Sequence, residues 1–304
     1  YSCGCGRWTG VAQRIAGSVR SRQWARVPTS ALAVNVIYGA LPDPDSPTGS
    51  SFSSFPADGR AFFVSPRGSA QDYGWSPPIQ VRTIAFGAIP VEATLQLSQT
   101  VDDDGELVGL HFSAVTNREP ENARTRYDPA PLEGTLDVHL RDVKVDGVPV
   151  NLGRCAAPRA RLQAVSDALY VSTEGGGDFA NYDPGAGGFQ AIMGGIFNGV
   201  VAIPPFGECR TTTGDDIAPL LTAMVSGEDN PVRIRVGSPS CFTPGPDYAY
   251  QLPPAPGQSD PVEANCLQWG GNQCWVTSTP GSTPSRPTCR CPTARGREPS
   301  PTQA

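Results

Sequence analysis

Apolar and polar residues alternate along much of the middle of the chain. A period of two is typical of β-strands with one buried face, because successive side chains point to opposite sides of a sheet. The pattern is clearest in four runs, residues 79–85, 91–98, 108–114 and 136–145. The dipeptide Asp146-Gly147 follows the last run and is typical of a type I′ hairpin turn, in which both residues take positive φ. The sequence therefore predicts antiparallel β-sheet in this region.

Shorter apolar runs predict further strands on both sides of this region. They are residues 31–38, 61–64, 160–165, 168–172, 189–193, 196–203 and 232–236. Gly194-Gly195 is predicted to form a tight turn between two of these strands, since glycine accepts the backbone angles that such turns need.

One helix is predicted over residues 215–224. An aspartate can cap its start and Pro219 fits a first turn, while Ile217, Leu220, Leu221 and Met224 would share one face. Residues 223–225 could equally open the following strand. The predicted fold is all-β, an antiparallel β-sandwich with one short helix.

The segments around these runs divide the chain into three parts. Residues 1–30 show no sustained period and are predicted to be an irregular N-terminal arm. Residues 31–241 form the β-sandwich domain, with a Pro-, Ser- and Gly-rich loop at 41–60. Residues 242–304 form a Pro-rich, Cys-containing extension, and about the last 25 of them are predicted to be disordered. Within it, residues 266–275 are expected to fold back on the core.

Composition and charge exclude several classes of protein. The chain has 304 residues, with 34 Gly and 32 Pro, and its net charge is −6. Its arginines are scattered and Lys144 is the only lysine, whereas nucleic-acid binding needs clustered positive charge. No apolar run is long enough for a transmembrane helix. No signal peptide is visible, and a start at Tyr1 is what a mature or trimmed product would show.

Nine cysteines in a Pro-rich, lysine-poor chain indicate an oxidising compartment. No C-x-x-C pair occurs, so a structural zinc site has little support. The predicted disulfide is Cys209–Cys241, which leaves Cys155 for a cysteine from one of the ends. Cys266 and Cys274 are candidates for a local disulfide. Because nine is odd, at least one thiol is free or pairs between chains.

The sequence holds no HExxH, GxSxG, P-loop or GxGxxG motif. His139 alternates with Asp137 and Arg141, so all three are expected on a solvated strand face. A general base oriented by Asp137 is disfavoured, because Cβ atoms two residues apart on a strand are separated by about 7 Å. His111 is expected to be exposed or half-exposed. No cofactor is predicted.

An acidic turn is the candidate metal site. Asp102, Asp104 and Glu106 alternate around Gly105, and carboxylates spaced in this way can bind Ca²⁺ through oxygen ligands. The alternative is a charged hairpin turn that keeps the neighbouring strands soluble.

Residues 134–241 resemble a family of uncharacterised secreted proteins from actinobacteria. The matching pieces, in order, are Val143-x-Val145-Asp146-Gly147-Val148-Pro149, Leu152-Gly153-x-Cys155, Ile203-Pro204-Pro205-Phe206-x-x-Cys209, Asp216-x-x-Pro219-Leu220-Leu221-Thr222, Val225-Ser226-Gly227-x-x-Asn230 and Cys241. The resemblance implies a secreted, β-rich domain and brings no activity with it. Cys3, Cys5 and the cysteines after residue 260 lie outside the family's pattern.

These observations favour a secreted, non-enzymatic structural or binding protein of the bacterial cell envelope or extracellular space. One alternative is a self-assembling surface or filament subunit that uses its terminal arms, so that its partner is a second copy of itself. Another is a glycan-binding or glycan-hydrolysing protein. That reading needs exposed aromatics near carboxylates, and the tryptophans available are Trp8, Trp24, Trp75, Trp269 and Trp275.

Overall fold

The alternating runs of the sequence form strands of one antiparallel sheet in the computed structural model of the chain. The structure describes residues 2–18, 23–42, 52–85, 88–174, 181–191 and 193–237, together with Pro256 and Gln273–Cys274. The strands, in chain order, are β1 (Ser2–Ser18), β2 (Gln23–Pro42), β3 (Phe52–Phe63), β4 (Ile79–Ala85), β5 (Ile89–Gln99), β6 (Leu110–Glu119), β7 (Arg124–Tyr127), β8 (Pro131–Val145), β9 (Val148–Val150), β10 (Cys155–Val165), β11 (Leu169–Ser172), β12 (Phe189–Gln190), β13 (Gly194–Ile203), β14 (Gly227–Val236) and β15 (Gln273–Cys274). The other regular elements among the described residues are one α-helix, α1 (Ala218–Val225), and one 3-10 helix (Pro120–Asn122).

Eight of these strands form a closed ring in the order β6-β3-β2-β1-β14-β13-β10-β8. The ring closes because β8 pairs with β6 through His111↔Glu133 and Phe112↔Leu132. The hairpin β4–β5 extends the sheet from β8, while β7 and β11 extend it from β6. The predicted all-β antiparallel fold with one short helix is confirmed, and its facing layers are two halves of one curled sheet.

Most local predictions in the middle of the chain are confirmed. Asp146 and Gly147 have φ of 50° and 77°, as a type I′ turn requires, and they join β8 to β9. The turn predicted at Gly194-Gly195 lies earlier in the chain, because both glycines belong to β13 and pair with Gln190 and Phe189 of β12. The helix is also present, although Leu220 on its predicted apolar face is 37% exposed, whereas Ala218 is buried.

The prediction of an irregular N-terminal arm is wrong. Residues 2–18 form β1 and residues 23–30 begin β2, and the two strands pair along most of their length. β1 also pairs with β14 through Ala12↔Val236 to Ala16↔Val232, so it is one of the strands that form the ring. Pairing on both sides overrides the weak local pattern, because strand propensity depends strongly on the neighbouring strands.

The predicted loop over residues 41–60 is also only partly correct, since β3 begins at Phe52. Gly59 contributed to the loop prediction, yet it lies in the strand. A Cβ at this position would overlap the ring of Phe112 on β6, so the glycine permits close packing between neighbouring strands.

Two small parts of the C-terminal extension lie against the ring. Gln273–Cys274 pairs with Gly4 and Cys3 of β1. The side-chain amide of Asn35 on β2 donates a 2.9 Å hydrogen bond to the carbonyl of Pro256. The predicted disordered end lies outside the described residues. Within the described part of the chain, no helix is long and apolar enough to cross a membrane.

Candidate functional site

The interior of the strand ring contains a cavity of about 180 Å³. It is lined by side chains from the inward faces of nearly every strand of the ring, among them Leu32, Phe63, Leu136, Leu162, Phe197 and Ile234. Ile79, Val81, Leu95 and Leu97 of the β4–β5 hairpin complete one side. The alternating pattern of the sequence thus supplies the lining, one residue in two along each strand.

The lining is almost wholly apolar. Among the described residues around the cavity, Asn230 carries the only polar side chain. Asn230 is 2% exposed, and its amide nitrogen donates to the carbonyls of Val201 and Gly227 at 3.2 and 3.0 Å. Because this amide is bonded to the backbone, the cavity wall favours a molecule without polar groups over one that needs hydrogen bonds.

A buried glutamine bonds the backbone of Ala61 and Phe63, two residues that line the cavity. The Gln99 side chain accepts from the Phe63 amide at 2.7 Å and donates to the carbonyls of Ala61 and Val108 at 3.0 and 3.1 Å. Gln99 is 5% exposed and ends β5, whereas Phe63 ends β3. The side-chain amide of Gln99 therefore replaces backbone hydrogen bonds between β3 and β5, which do not pair directly here.

A second polar group lies on the outer face of the sheet, behind the cavity wall. The hydroxyl of Ser98 and Nε2 of His139 are 2.8 Å apart, and the Trp75 ring packs 4.9 Å from the His139 ring. The sequence places His139 on a solvated face, but the structure makes it half-buried. Neighbouring Arg141 donates to the Gln96 side chain, whose amide donates to the Ser76 carbonyl at 2.8 Å.

A serine hydroxyl beside an imidazole resembles a nucleophile and its base, but the surroundings give the pair a structural role. Ser98 is only 6% exposed, and Trp75 pairs with it across the sheet edge. The Asp137 carboxylate accepts from the Arg159 amide at 2.7 Å, so it is engaged away from the imidazole. The pair anchors the Trp75 segment to the sheet, and Trp75 itself is half-buried.

Burial lowers the pKa of His139, and the positive charge of Arg141 lowers it further, while the charge of Asp137 acts in the opposite direction. The unfolded chain therefore takes up a proton at this histidine at higher pH than the folded protein does. A protein whose unfolded state binds more protons than its folded state becomes less stable as the pH falls. His139 is thus expected to favour the folded state most above the ordinary histidine pKa of 6.5.

We expect the free energy of unfolding to decrease as the pH falls from 7.5 to 5.5, on either side of the ordinary histidine pKa of 6.5. The variant His139→Gln should show a smaller decrease, because the glutamine amide can bond Ser98 without titrating. Urea unfolding at three pH values measures both. The two proteins differ only at position 139, so the comparison isolates the contribution of His139. Equal pH dependence in the two proteins would contradict this assignment.

The other histidine reinforces the ring where it closes. His111 on β6 has Nε2 2.8 Å from the Asp58 carboxylate on β3 and Nδ1 3.5 Å from the Glu133 carboxylate on β8. Its side chain is 34% exposed, which fits the half-exposed position expected from the sequence. Both ring nitrogens face carboxylates, and the side chain therefore links three neighbouring strands.

The acidic turn is held by its own hydrogen bonds. The Asp102 carboxylate accepts from the amides of Asp104 and Glu106 at 3.1 and 2.8 Å. All three residues are exposed. Within the described ranges, no group of three or more His, Cys, Asp or Glu side chains is placed to hold a metal ion. The turn geometry explains Asp102 and adds no support to the calcium prediction.

Cys209 forms its disulfide with Cys155, with Cα atoms 4.3 Å apart, so the predicted pairing with Cys241 is wrong. The physical reason is a short backbone contact between Ala156 and Gly207, which exchange hydrogen bonds of 3.2 and 2.8 Å beside the two cysteines. Cys241 and Cys266 lie outside the described residues, and Cys274 is placed only through its backbone in β15. The disulfide ties β10 to the segment that leads into α1.

Comparison with models of protein families, with curated proteins and with solved structures finds no match to this chain.

Proposed function

We propose that this chain is a secreted, non-enzymatic binding protein of the cell envelope or extracellular space, and that it holds a small apolar molecule inside its strand ring. The cavity carries this proposal. It is lined by side chains from the ring and its β4–β5 extension, and it offers the ligand almost no polar group. Transfer of an apolar molecule from water into such a space is favourable.

The size of the cavity limits the ligand. A closed sheet of eight strands leaves an interior that side chains fill or that holds one small ligand. Apolar protein cavities of about 150 Å³ stay dry and bind benzene. The present cavity, at about 180 Å³, suits a molecule with one ring or a short branched hydrocarbon.

Two observations support an extracellular location. The Cys155–Cys209 disulfide is characteristic of proteins that fold in an oxidising environment. The ordered motifs between residues 134 and 241 resemble secreted proteins of actinobacteria. Small apolar molecules reach such a protein without crossing a membrane first.

Toluene is expected to raise the melting temperature of the full chain in a concentration-dependent manner, because a ligand that binds only the folded state stabilises it by mass action. Phenol, of similar shape, should have a much smaller effect, since its buried hydroxyl would find no free partner. The variant Ala160→Leu places a larger side chain on the cavity wall and should abolish the toluene effect. Differential scanning calorimetry measures all three.

The proposal fails if toluene leaves the melting temperature unchanged at concentrations near its solubility. It also fails if toluene and phenol stabilise the protein equally, or if Ala160→Leu folds and still responds to toluene. Native mass spectrometry of protein secreted by its host provides a second readout, in which an apolar molecule is expected to accompany the folded chain.

A further inference from the structure

A short segment crosses one end of the strand ring. This crossing segment, residues 181–191, precedes β13 and includes β12. The Tyr182 hydroxyl donates to the Gly194 carbonyl at 2.7 Å, and the Asp167 amide donates to the Gly187 carbonyl at 3.0 Å. β12 pairs with Gly194 and Gly195 at the start of β13. The segment is therefore bonded to the ring at several points.

The fit between the crossing segment and β13 is close. A Cβ on Gly195 would overlap the carbonyl oxygen of Gly188 and would lie 2.7 Å from the Cα of Phe189. Glycine at this position lets the segment lie directly against the strand. The backbone of Phe189 is thereby fixed at the end of the ring where β13 begins and β14 finishes.

Phe189 extends from this segment into the interior. Its ring centroid lies 4.6 Å from that of Phe197 on β13 and 5.6 Å from that of Phe112 on β6. These strands are not neighbours in the ring, because β10 and β8 lie between them. Phe189 is 5% exposed and lines the cavity, so one side chain spans the interior between two separate walls.

We propose that Phe189 is the specificity-determining residue of the cavity and limits its ligand to a single-ring hydrocarbon with a short alkyl substituent. This inference rests on the proposed function. Most of the other lining residues project from the strands of the ring and of the β4–β5 hairpin, whereas Phe189 and Ala191 belong to the crossing segment. Of these two, Phe189 has the larger side chain and occupies the space that a longer ligand would need. Its edge-on contact with Phe112 and tilted contact with Phe197 hold the ring in place.

The test is a series of ligands from benzene through toluene, ethylbenzene and propylbenzene to butylbenzene, added to the full chain. Isothermal titration and thermal shift give the affinity of each. In the wild-type protein, affinity should increase over the first members and then fall where the alkyl chain meets Phe189. In Phe189→Ala, the alkyl-chain length at which affinity begins to fall should increase. Butylbenzene should bind this variant about tenfold more tightly than it binds wild type, a difference of the size that one or two methylene groups produce in an apolar pocket.

The matched control is Phe62→Ala. Phe62 is also buried, at 3% exposure, but it lies on the opposite face of β3 and does not line the cavity. This variant should lose stability while keeping the wild-type order of ligands. If Phe189→Ala does not fold, Phe189→Leu removes less volume and should move the fall by a smaller step.

The outcomes separate the two proposals. If no ligand of the series binds wild type or either Phe189 variant, the proposed function is wrong. If wild type binds the short members, and affinity for the folded Phe189 variants begins to fall at the same alkyl-chain length as in wild type, Phe189 does not set the limit and the inference is wrong. A shift in Phe62→Ala equal to that in Phe189→Ala would also overturn it.

Discussion

The double variant Cys155→Ala/Cys209→Ala is expected to lose about 4 kcal/mol in free energy of unfolding, as the chain-entropy model gives for a loop of this length. The disulfide joins residues separated by 54 positions, so it restricts the unfolded chain over a long loop. Both cysteines are buried, at 4% and 0% exposure, and the smaller alanines add a packing loss. Their cluster includes Phe206 and Ala218, so α1 should lose protection with them.

Urea unfolding of wild type and the double variant, each with and without dithiothreitol, measures this effect. Reductant should destabilise the wild-type protein more than the variant, which isolates this disulfide from other cysteines of the chain. Hydrogen exchange should show faster exchange first in residues 204–226. Coincident unfolding curves for the two proteins, or peptide mapping that joins Cys209 to Cys241, would show that the assigned pairing is wrong.

Gln99→Leu is expected to cost about 3 kcal/mol, because it removes the side-chain partner of two buried backbone groups and of one partly buried carbonyl. Leucine has a similar size, so the loss comes from hydrogen bonds rather than from volume. The groups are the Phe63 amide and the carbonyls of Ala61 and Val108, all on the side of the ring where β5 and β3 meet. The affinity for toluene should decrease as well, since Ala61 and Phe63 line the cavity and Gln99 holds their backbone.

Gln80→Leu is the control for this variant. Gln80 is exposed on the neighbouring strand β4, and its side chain donates one 2.9 Å bond to Thr94. A change within about 0.5 kcal/mol is expected there, as for most surface substitutions. Similar losses in the two variants, measured by chemical denaturation, would show that the bonds of Gln99 carry no special weight.

Most strands between residues 79 and 172 could be predicted because each carries its own signal, whereas β7 (Arg124–Tyr127) matches none of the predicted runs. β5 and β8 alternate strictly where one face is buried, and Asp146-Gly147 marks the turn after β8. These features depend on neighbours within the same few residues. The class of fold follows from them, because antiparallel strands with one apolar face must pack that face against another layer.

The ring itself could not be predicted in this way. It depends on pairs such as Phe112↔Leu132 and Ala12↔Val236, which join strands distant in sequence. β1 carries no clear alternation, and β3 contains Pro56 and Gly59, residues that ordinarily indicate a loop. Their strand structure is imposed by pairing on both edges, and single-sequence patterns hold no information on such pairing.

The candidate site shows the same division. The apolar residues of the lining are visible as alternate positions, but the sequence does not reveal that their side chains leave space between them. Gln99 looks like one more polar residue at a strand end, because Ser98 and Thr100 flank it, and no signal in the sequence sets it apart. Phe189 stands in a short run that predicts a strand, and its function as a bridge between β6 and β13 emerges only from the closed arrangement.

The position of β1 between β2 and β14 has a consequence for how the protein is made. A chain that emerges from the ribosome presents β1 before β14, with most of the other described strands between them. Until β14 arrives, β1 offers an unpaired edge and the inner faces of the early strands are exposed to water. Long-range pairing of this kind also slows folding. Folding of this protein is therefore expected to depend on a chaperone that shields the growing chain, more than on the speed of its local hairpins.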